Sequence, residues 1–182
     1  MSDVSLIIRD GAIVADDWTL FSASDDAGLA SLPGGKIIVP FKTWIAERAA
    51  HVERAANFRA PIGVWIEGAD DPALLADSIH EFALIAVNFP KFTDGRGYST
   101  GALLRSRYGF KGELRAVGDV LRDQLFYLRR AGFNAFALRA GKDIHDALNA
   151  LSDFSESYQG AVDQPLPLFK RRTSHTIEAI NV

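Results

Sequence analysis

The sequence predicts an α/β fold on a mostly parallel sheet, with about five strand-helix units, an N-terminal β-hairpin and an irregular C-terminal tail. Three observations predict it. Short apolar runs alternate with amphipathic segments from Lys36 onward. Runs such as ALIAVNF are almost wholly apolar, as buried parallel strands are, and capping residues stand at the segment boundaries. The units fit either a doubly wound open sheet or a half-barrel-like arrangement, because an eight-fold barrel takes roughly 200 residues or more.

Residues 4–9 and 12–15 are β-prone runs separated by Asp10-Gly11, a pair that tolerates the positive φ of a two-residue hairpin turn. Residues 21–35 are rich in Ser, Asp, Ala, Gly and Pro and read as a surface connection. KIIVPF then precedes a helix from about Thr43. IGVWIEG precedes a helix opened by Asp71-Pro72, with Leu75 and Ile79 on its apolar face. ALIAVNF precedes a helix that Ser99 can cap. ELRAVG precedes a helix capped by Asp119, with Leu121, Leu125 and Leu128 toward the sheet; AFALR precedes one from Asp143, with the stripe Ile144, Leu148 and Leu151. Gly109 and Gly132 stand where left-handed C-caps are wanted. Beyond Ser152 the periodicity is lost, and the segment holding Pro165, Pro167 and the basic triplet Lys170, Arg171, Arg172 is expected to cross the domain or reach a partner. A single domain is expected over 1–182: hairpin and connection (1–35), α/β core (36–160) and tail (161–182).

Composition excludes several classes of chemistry. The 182 residues are 48% apolar and 24% charged, and 20 Lys plus Arg against 23 Asp plus Glu give a net charge of −3. No global positive field draws the chain to nucleic acid or to an anionic membrane. There is no cysteine, which removes thiol nucleophiles and thiolate-held zinc, haem or iron–sulfur centres. His51, His80, His145 and His175 show no HxH or HExxH spacing, so no metal site is expected. Neither GxGxxG nor GxxxxGK[ST] occurs, and no cofactor is expected on the chain, although flavodoxin-like sites carry no short motif and leave a flavin open. The N-terminal stretch lacks the basic and apolar regions of a secretory signal, and no apolar run reaches about 18 residues. A cytoplasmic location is the expectation.

In open α/β sheets, ligands bind beyond the carboxyl ends of the strands. The polar residues there are Lys42, Glu67, the loop NFPKFTDGRGYS, Asp119, Arg122 and Arg139. In that loop Gly95 and Gly97 let backbone N–H groups approach an anion, with Lys91 or Arg96 supplying charge. Lys91, Asp94, Gly95, Arg96, Gly97, Arg122 and Arg139 are therefore the candidate binding set for a small oxyanion. The plain alternative is an Asp-Gly turn flanked by solvated Lys and Arg. Glu67 and Asp119 are the acid/base candidates, in positions where carboxylates also cap helices or pair with cations. Trp18, Trp44 and Trp65 are expected to pack, and Arg129 and Arg130 to meet a helix dipole.

The run VNFPKFTDGRGYS, then LLRSRYGFKGELRAVGDVLRDQLFYLRRAGFNAFALR, with IIVPFKTW and GVWIEGADDPALL upstream, resembles the bacterial family called domain of unknown function 934. The resemblance covers residues 36–159. Members are described as oxidoreductases of sulfite reduction, because their genes lie beside those of assimilatory sulfite reductase. No catalytic residues are established in the family, so only the loop from Phe89 to Tyr98 and the stretch Gly118, Asp119, Arg122, Asp123, Gln124 carry over. The resemblance implies an accessory protein of sulfur assimilation, helping a siroheme sulfite reductase by docking, electron delivery or oxyanion handling. Siroheme and the iron–sulfur cluster would reside on that partner, the haemoprotein subunit. The rival reading is a stand-alone enzyme acting on a small anionic metabolite, with Glu67 or Asp119 as acid/base; a third is an interaction module using the 161–182 tail.

Overall fold

The computed structural model describes residues 5–21 and 35–172, so the expected connection over 22–34 and the tail from 173 onward lie outside the described residues. Eight strands form one sheet: β1 (Leu6–Arg9), β2 (Ala12–Ala15), β3 (Trp18–Leu20), β4 (Lys36–Pro40), β5 (Ile62–Ile66), β6 (Phe82–Phe89), β7 (Glu113–Gly118) and β8 (Ala135–Phe136). Their spatial order is β2-β1-β8-β7-β6-β5-β4-β3. From β3 to β8 every pairing is parallel and runs in chain order, whereas β1 is antiparallel to both β2 and β8. A doubly wound sheet needs a reversal of strand order to place helices on both faces. With no reversal, right-handed crossovers all fall on one face. The half-barrel-like alternative is the one adopted, with the helices on one side of the sheet.

The curl follows from chain length. β2 and β3 stand at opposite ends of the strand order, yet only Asp16 and Asp17 separate them. Three Cα steps span at most about 11 Å, so the two sheet edges must meet there. Residues 12–20 behave as one bent strand: Asp16 N–H donates to the Ser5 carbonyl at 2.8 Å on one side, and Phe21 N–H donates to the Ile38 carbonyl at 2.8 Å on the other. At the bend the Asp16 carboxylate accepts the Trp18 N–H at 3.2 Å.

The two faces have different contents. On the convex face Val39, Val64, Ile85, Val87 and Leu114 pack against Trp44, Leu75, Leu104, Leu125 and Leu128 from the covering helices in one continuous core. Inside the curl, Ile38, Leu84, Ala86 and Val117 meet Trp18, Trp65 and Ala137. Trp18 lies over β5 where Gly63 leaves room: a Cβ there would come within 3.2 Å of its ring. Arg115 on β7 is 1% exposed in this interior. Its Nη1 donates to Asp16 at 2.9 Å and its Nε to Glu113 at 2.7 Å, while Arg9 reaches the other Glu113 oxygen at 3.5 Å.

Helices α1 (Phe41–Phe58), α2 (Arg96–Ser106), α3 (Leu125–Arg130) and α4 (Ile144–Ala150) complete the layer. The Asp10-Gly11 hairpin forms with φ of 51° and 76°, and Gly109 and Gly132 take the left-handed conformation after α2 and α3. Asp143 caps α4 by accepting the N–H groups of His145 and Asp146. Other boundaries shift. The segment begun by Asp71-Pro72 is a 3-10 helix (Pro72–Glu81): Leu75 is buried and Ile79 packs against the core as expected, and the three-residue turn also buries Ser78, three positions after Leu75. α2 starts three residues before Ser99, so Ser99 sits within it and caps nothing. Asp119 does not cap the next helix: a 3-10 turn (Arg122–Gln124) opens it, with the Gln124 side chain accepting the Leu121 N–H at 2.9 Å. The segment from 153 to 172 crosses the domain. Val162 N–H donates to the Arg130 carbonyl, Arg130 binds Ser157 and the Gln159 carbonyl, and residues 168–172 begin a helical turn in what was expected to be an irregular tail. Among the described residues no helix is long and apolar enough to cross a membrane.

Arg115→Met removes the guanidinium, leaving the largely buried Asp16 without its cation and Glu113 with Arg9 alone. The expected loss is about 3–5 kcal/mol of unfolding free energy, read by urea denaturation. A loss below about 1 kcal/mol would show that the curl closes without this pair.

Candidate functional site

Parallel β4–β8 bring their carboxyl ends to one mouth of the curled sheet, and the loops there carry most of the candidate residues. Trp65, on the interior face of β5, donates its indole N–H to Glu67 Oε1 at 2.7 Å, and Asn88 at the end of β6 donates its amide to Glu67 Oε2 at 2.7 Å. The Glu67 N–H is held in turn by Asp70 at 2.8 Å. Beside Asn88 lies Gly118, with φ of +94°. A Cβ there would fall 2.4 Å from Asn88 Oδ1 and 2.5 Å from the Phe89 carbonyl, so only glycine fits.

The loop after β6 is fixed by two carboxylates. Asp119 donates its own N–H to the Phe89 carbonyl at 2.7 Å and accepts the Phe92 N–H at 3.1 Å on Oδ2. Its Oδ1 accepts Arg139 Nη1 at 3.1 Å. The Arg139 hydrogen bond, helped by the Phe92 N–H, holds the Asp119 carboxyl below the usual carboxylate range. Asp94 accepts Arg96 Nε at 2.9 Å and Nη2 at 2.6 Å, and this pairing lowers its pKa to about 2. Arg96 lies against the turn after β5, since a Cβ on Gly68 would come within 3.4 Å of its Nε.

The candidate set is thus divided. Glu67, Asp94, Arg96, Asp119 and Arg139 stand on the loops at the mouth, with Lys91 exposed on the same loop as Asp94. Arg122 is drawn elsewhere, between Asp146 at 3.1 Å and Asp153 at 3.0 Å, where it ties α4 and the crossing segment to the start of α3. Gly97 is a packing residue: a Cβ would lie 2.5 Å from the Phe89 ring, within the aromatic cluster Phe89, Tyr98 and Phe133. Gly95 has open space beside it and an ordinary φ of −85°. Gly97 is thus accounted for by packing, whereas neither a close contact nor its φ requires glycine at position 95. Trp65, Asn88, Gly68 and Gly118 are mouth residues absent from the candidate set. For Asn88 and Gly118 the signal in the sequence is a polar or glycine residue at the end of an otherwise apolar strand.

Arg96 and Arg139 remain 59% and 56% exposed in their side chains, and each keeps guanidinium donors beyond those its carboxylate uses. A cleft of about 440 Å³ opens beside β8, lined by Arg139 and Lys142 among others. Both Glu67 oxygens and both Asp119 oxygens accept hydrogen bonds that hold loops in place. The arrangement positions a rim of exposed cations around a fixed loop, over a curled sheet whose interior is filled with side chains.

Fold and mouth together define a singly wound α/β half-barrel with a charged carboxyl-end rim. The model of the family described as a bacterial protein of unknown function, DUF934, matches residues 63–169, more than half of the chain, and the protein belongs to that family. The match begins at β5, downstream of IIVPFKTW, and extends through the crossing segment beyond Gln159. No curated protein matches the chain.

Two outcomes test this account. Gly97→Ala should destabilise by about 1–3 kcal/mol through overpacking against Phe89, while Gly95→Ala should be neutral or stabilising by up to about 1 kcal/mol, both read by urea denaturation. The Asp94 carboxyl should titrate by NMR near 2 and move up toward the ordinary 3.8 in Arg96→Ala. Because its folded pKa is depressed, its contribution to stability is present above about pH 4 and is lost as pH falls toward 2.

Proposed function

We propose that this protein is a cytoplasmic accessory protein of assimilatory sulfite reduction that docks onto the siroheme haemoprotein subunit of the reductase. The link to sulfite reduction rests on the family resemblance of residues 36–159. The redox groups, siroheme and an iron–sulfur cluster, belong to the partner. Of the three tasks that the resemblance allows, docking is favoured by one observation. Phe92 is 47% exposed, yet its backbone N–H is clamped by Asp119. An aromatic side chain held toward solvent on a fixed backbone loses little entropy on binding, which is what an interface anchor requires. Lys91 adjoins it, and Arg96 and Arg139 supply exposed positive charge on the surrounding loops. That rim suits an acidic patch on the partner and would speed encounter. Glu67 and Asp119 serve here as loop-holding acceptors, which favours docking over the stand-alone enzyme.

Titration of the purified haemoprotein subunit with this protein, followed by calorimetry, tests the reading. Saturable binding is expected, weakened about tenfold or more by Phe92→Ala with no change in unfolding midpoint. Lys91→Ala should mainly slow association and flatten its salt dependence. Absence of binding by the wild-type protein, or equal affinity for Phe92→Ala, would overturn it.

A further inference from the structure

At the opposite end of the curled sheet, where β8 begins and the β1–β2 hairpin turns, lies a cleft of about 520 Å³. This is within the range of small-molecule sites, roughly 300–1,000 Å³. Phe133, Phe136, Leu148 and Leu151 supply apolar walls, and Arg129, from the last turn of α3, supplies a cation. Arg129 stacks its guanidinium over Phe126 at 5.6 Å, but among the described residues it has no hydrogen-bond acceptor and no carboxylate partner, and its Nε is buried. Its neighbour Arg130, by contrast, is held by Ser157, the Gln159 carbonyl and Asp163.

The ordinary role for an arginine in this position is to cap the carbonyls at the helix end. That role is already filled. The carbonyls of Tyr127, Leu128, Arg129 and Arg130 accept the N–H groups of Ala131, Phe133, Gly132 and Val162 respectively. Its terminal guanidinium nitrogens are not buried like Nε and have no acceptor among the described residues, and Arg129 lines the cleft, so those donors are free for an anion from outside the chain. Asp10, also on the wall, is occupied by the Asn134 amide at 2.9 Å and leaves its other oxygen for a donor.

We propose that this cleft binds a small organic anion with an apolar body, its carboxylate, sulfonate or phosphate group on Arg129 and the body against Phe133, Phe136 and Leu148. The site stands apart from the rim proposed for docking, and neither depends on the other.

The probe is 8-anilinonaphthalene-1-sulfonate, a sulfonate on an aromatic body that fluoresces when shielded from water. One saturable site per chain is expected. Arg129→Met should weaken it about tenfold or more, and Asn149→Trp, at the rim of the cleft, should block it by bulk. Tyr158→Ser, in an exposed aromatic patch elsewhere, should leave it unchanged. In the labelled protein, NMR shifts on binding should concentrate at residues 129–136 and 148–152. Unaltered affinity in a folded Arg129→Met variant, shifts confined to the patch around Tyr158, or no saturable binding would each overturn the assignment.

Discussion

The guanidinium of Arg115 stands inside the curl, bonded to Glu113 on its own strand and to Asp16 at the junction of β2 and β3. The junction allows only two residues between opposite edges of the sheet, so the sheet must bend until those edges meet. Bending brings β7 across from Asp16 and gathers Trp18, Trp65, Leu84 and Val117 in one apolar cluster inside the curl. An arginine in that setting is stable only while both carboxylates accompany it. It acts as a tie between the middle of the sheet and its seam.

The seam also sets what each end of the sheet can do. At the carboxyl end the curl draws five strand ends into one rim, and carboxylates spend their hydrogen bonds on loop backbone and neighbouring arginines. Asp119 is the clearest case, binding the Phe89 carbonyl through its N–H, the Phe92 N–H and Arg139. The result is a rigid loop with cations outward. At the amino end the last carbonyls of α3 are all hydrogen-bonded, and Arg129 is left beside a partly apolar cleft without an acceptor among the described residues. One end presents a surface and the other a concavity, and the chemistry argued for each follows from that difference in shape.

Close packing between aromatic rings and glycine holds the convex layer. Gly97 and Gly101 on α2 lie against Phe89 and Phe133, with hypothetical Cβ distances of 2.5 Å and 2.4 Å. That contact lets α2 approach β6 and fixes where the loop carrying Lys91, Asp94 and Arg96 begins. A glycine in this loop can be read from sequence as a device for ligand approach or for backbone packing. Those readings differ only in what lies opposite the missing Cβ, and that neighbour comes from a different part of the chain.

What depended on near neighbours was legible in the sequence. The Asp10-Gly11 turn, the Asp143 cap, the left-handed glycines after α2 and α3 and the parallel α/β class all follow from local sterics and hydrophobic periodicity, which act over a few residues. The 3-10 geometry of Pro72–Glu81 was not legible, because its few large apolar residues do not fix a helical period and packing selects it. The charges at the carboxyl end were visible as a set, but their partners were not: Arg139 with Asp119, Arg122 with Asp146 and Asp153, and Asn88 with Glu67 are pairings across 20, 24, 31 and 21 residues. The sequence by itself determined the α/β class, the N-terminal hairpin and the alternation of strands and helical segments from Lys36 onward. Only the tertiary structure decided that the sheet curls, that Arg115 lies within it and that Arg129 finds no acceptor among the described residues, because each depends on which distant segments the closing chain brings into contact.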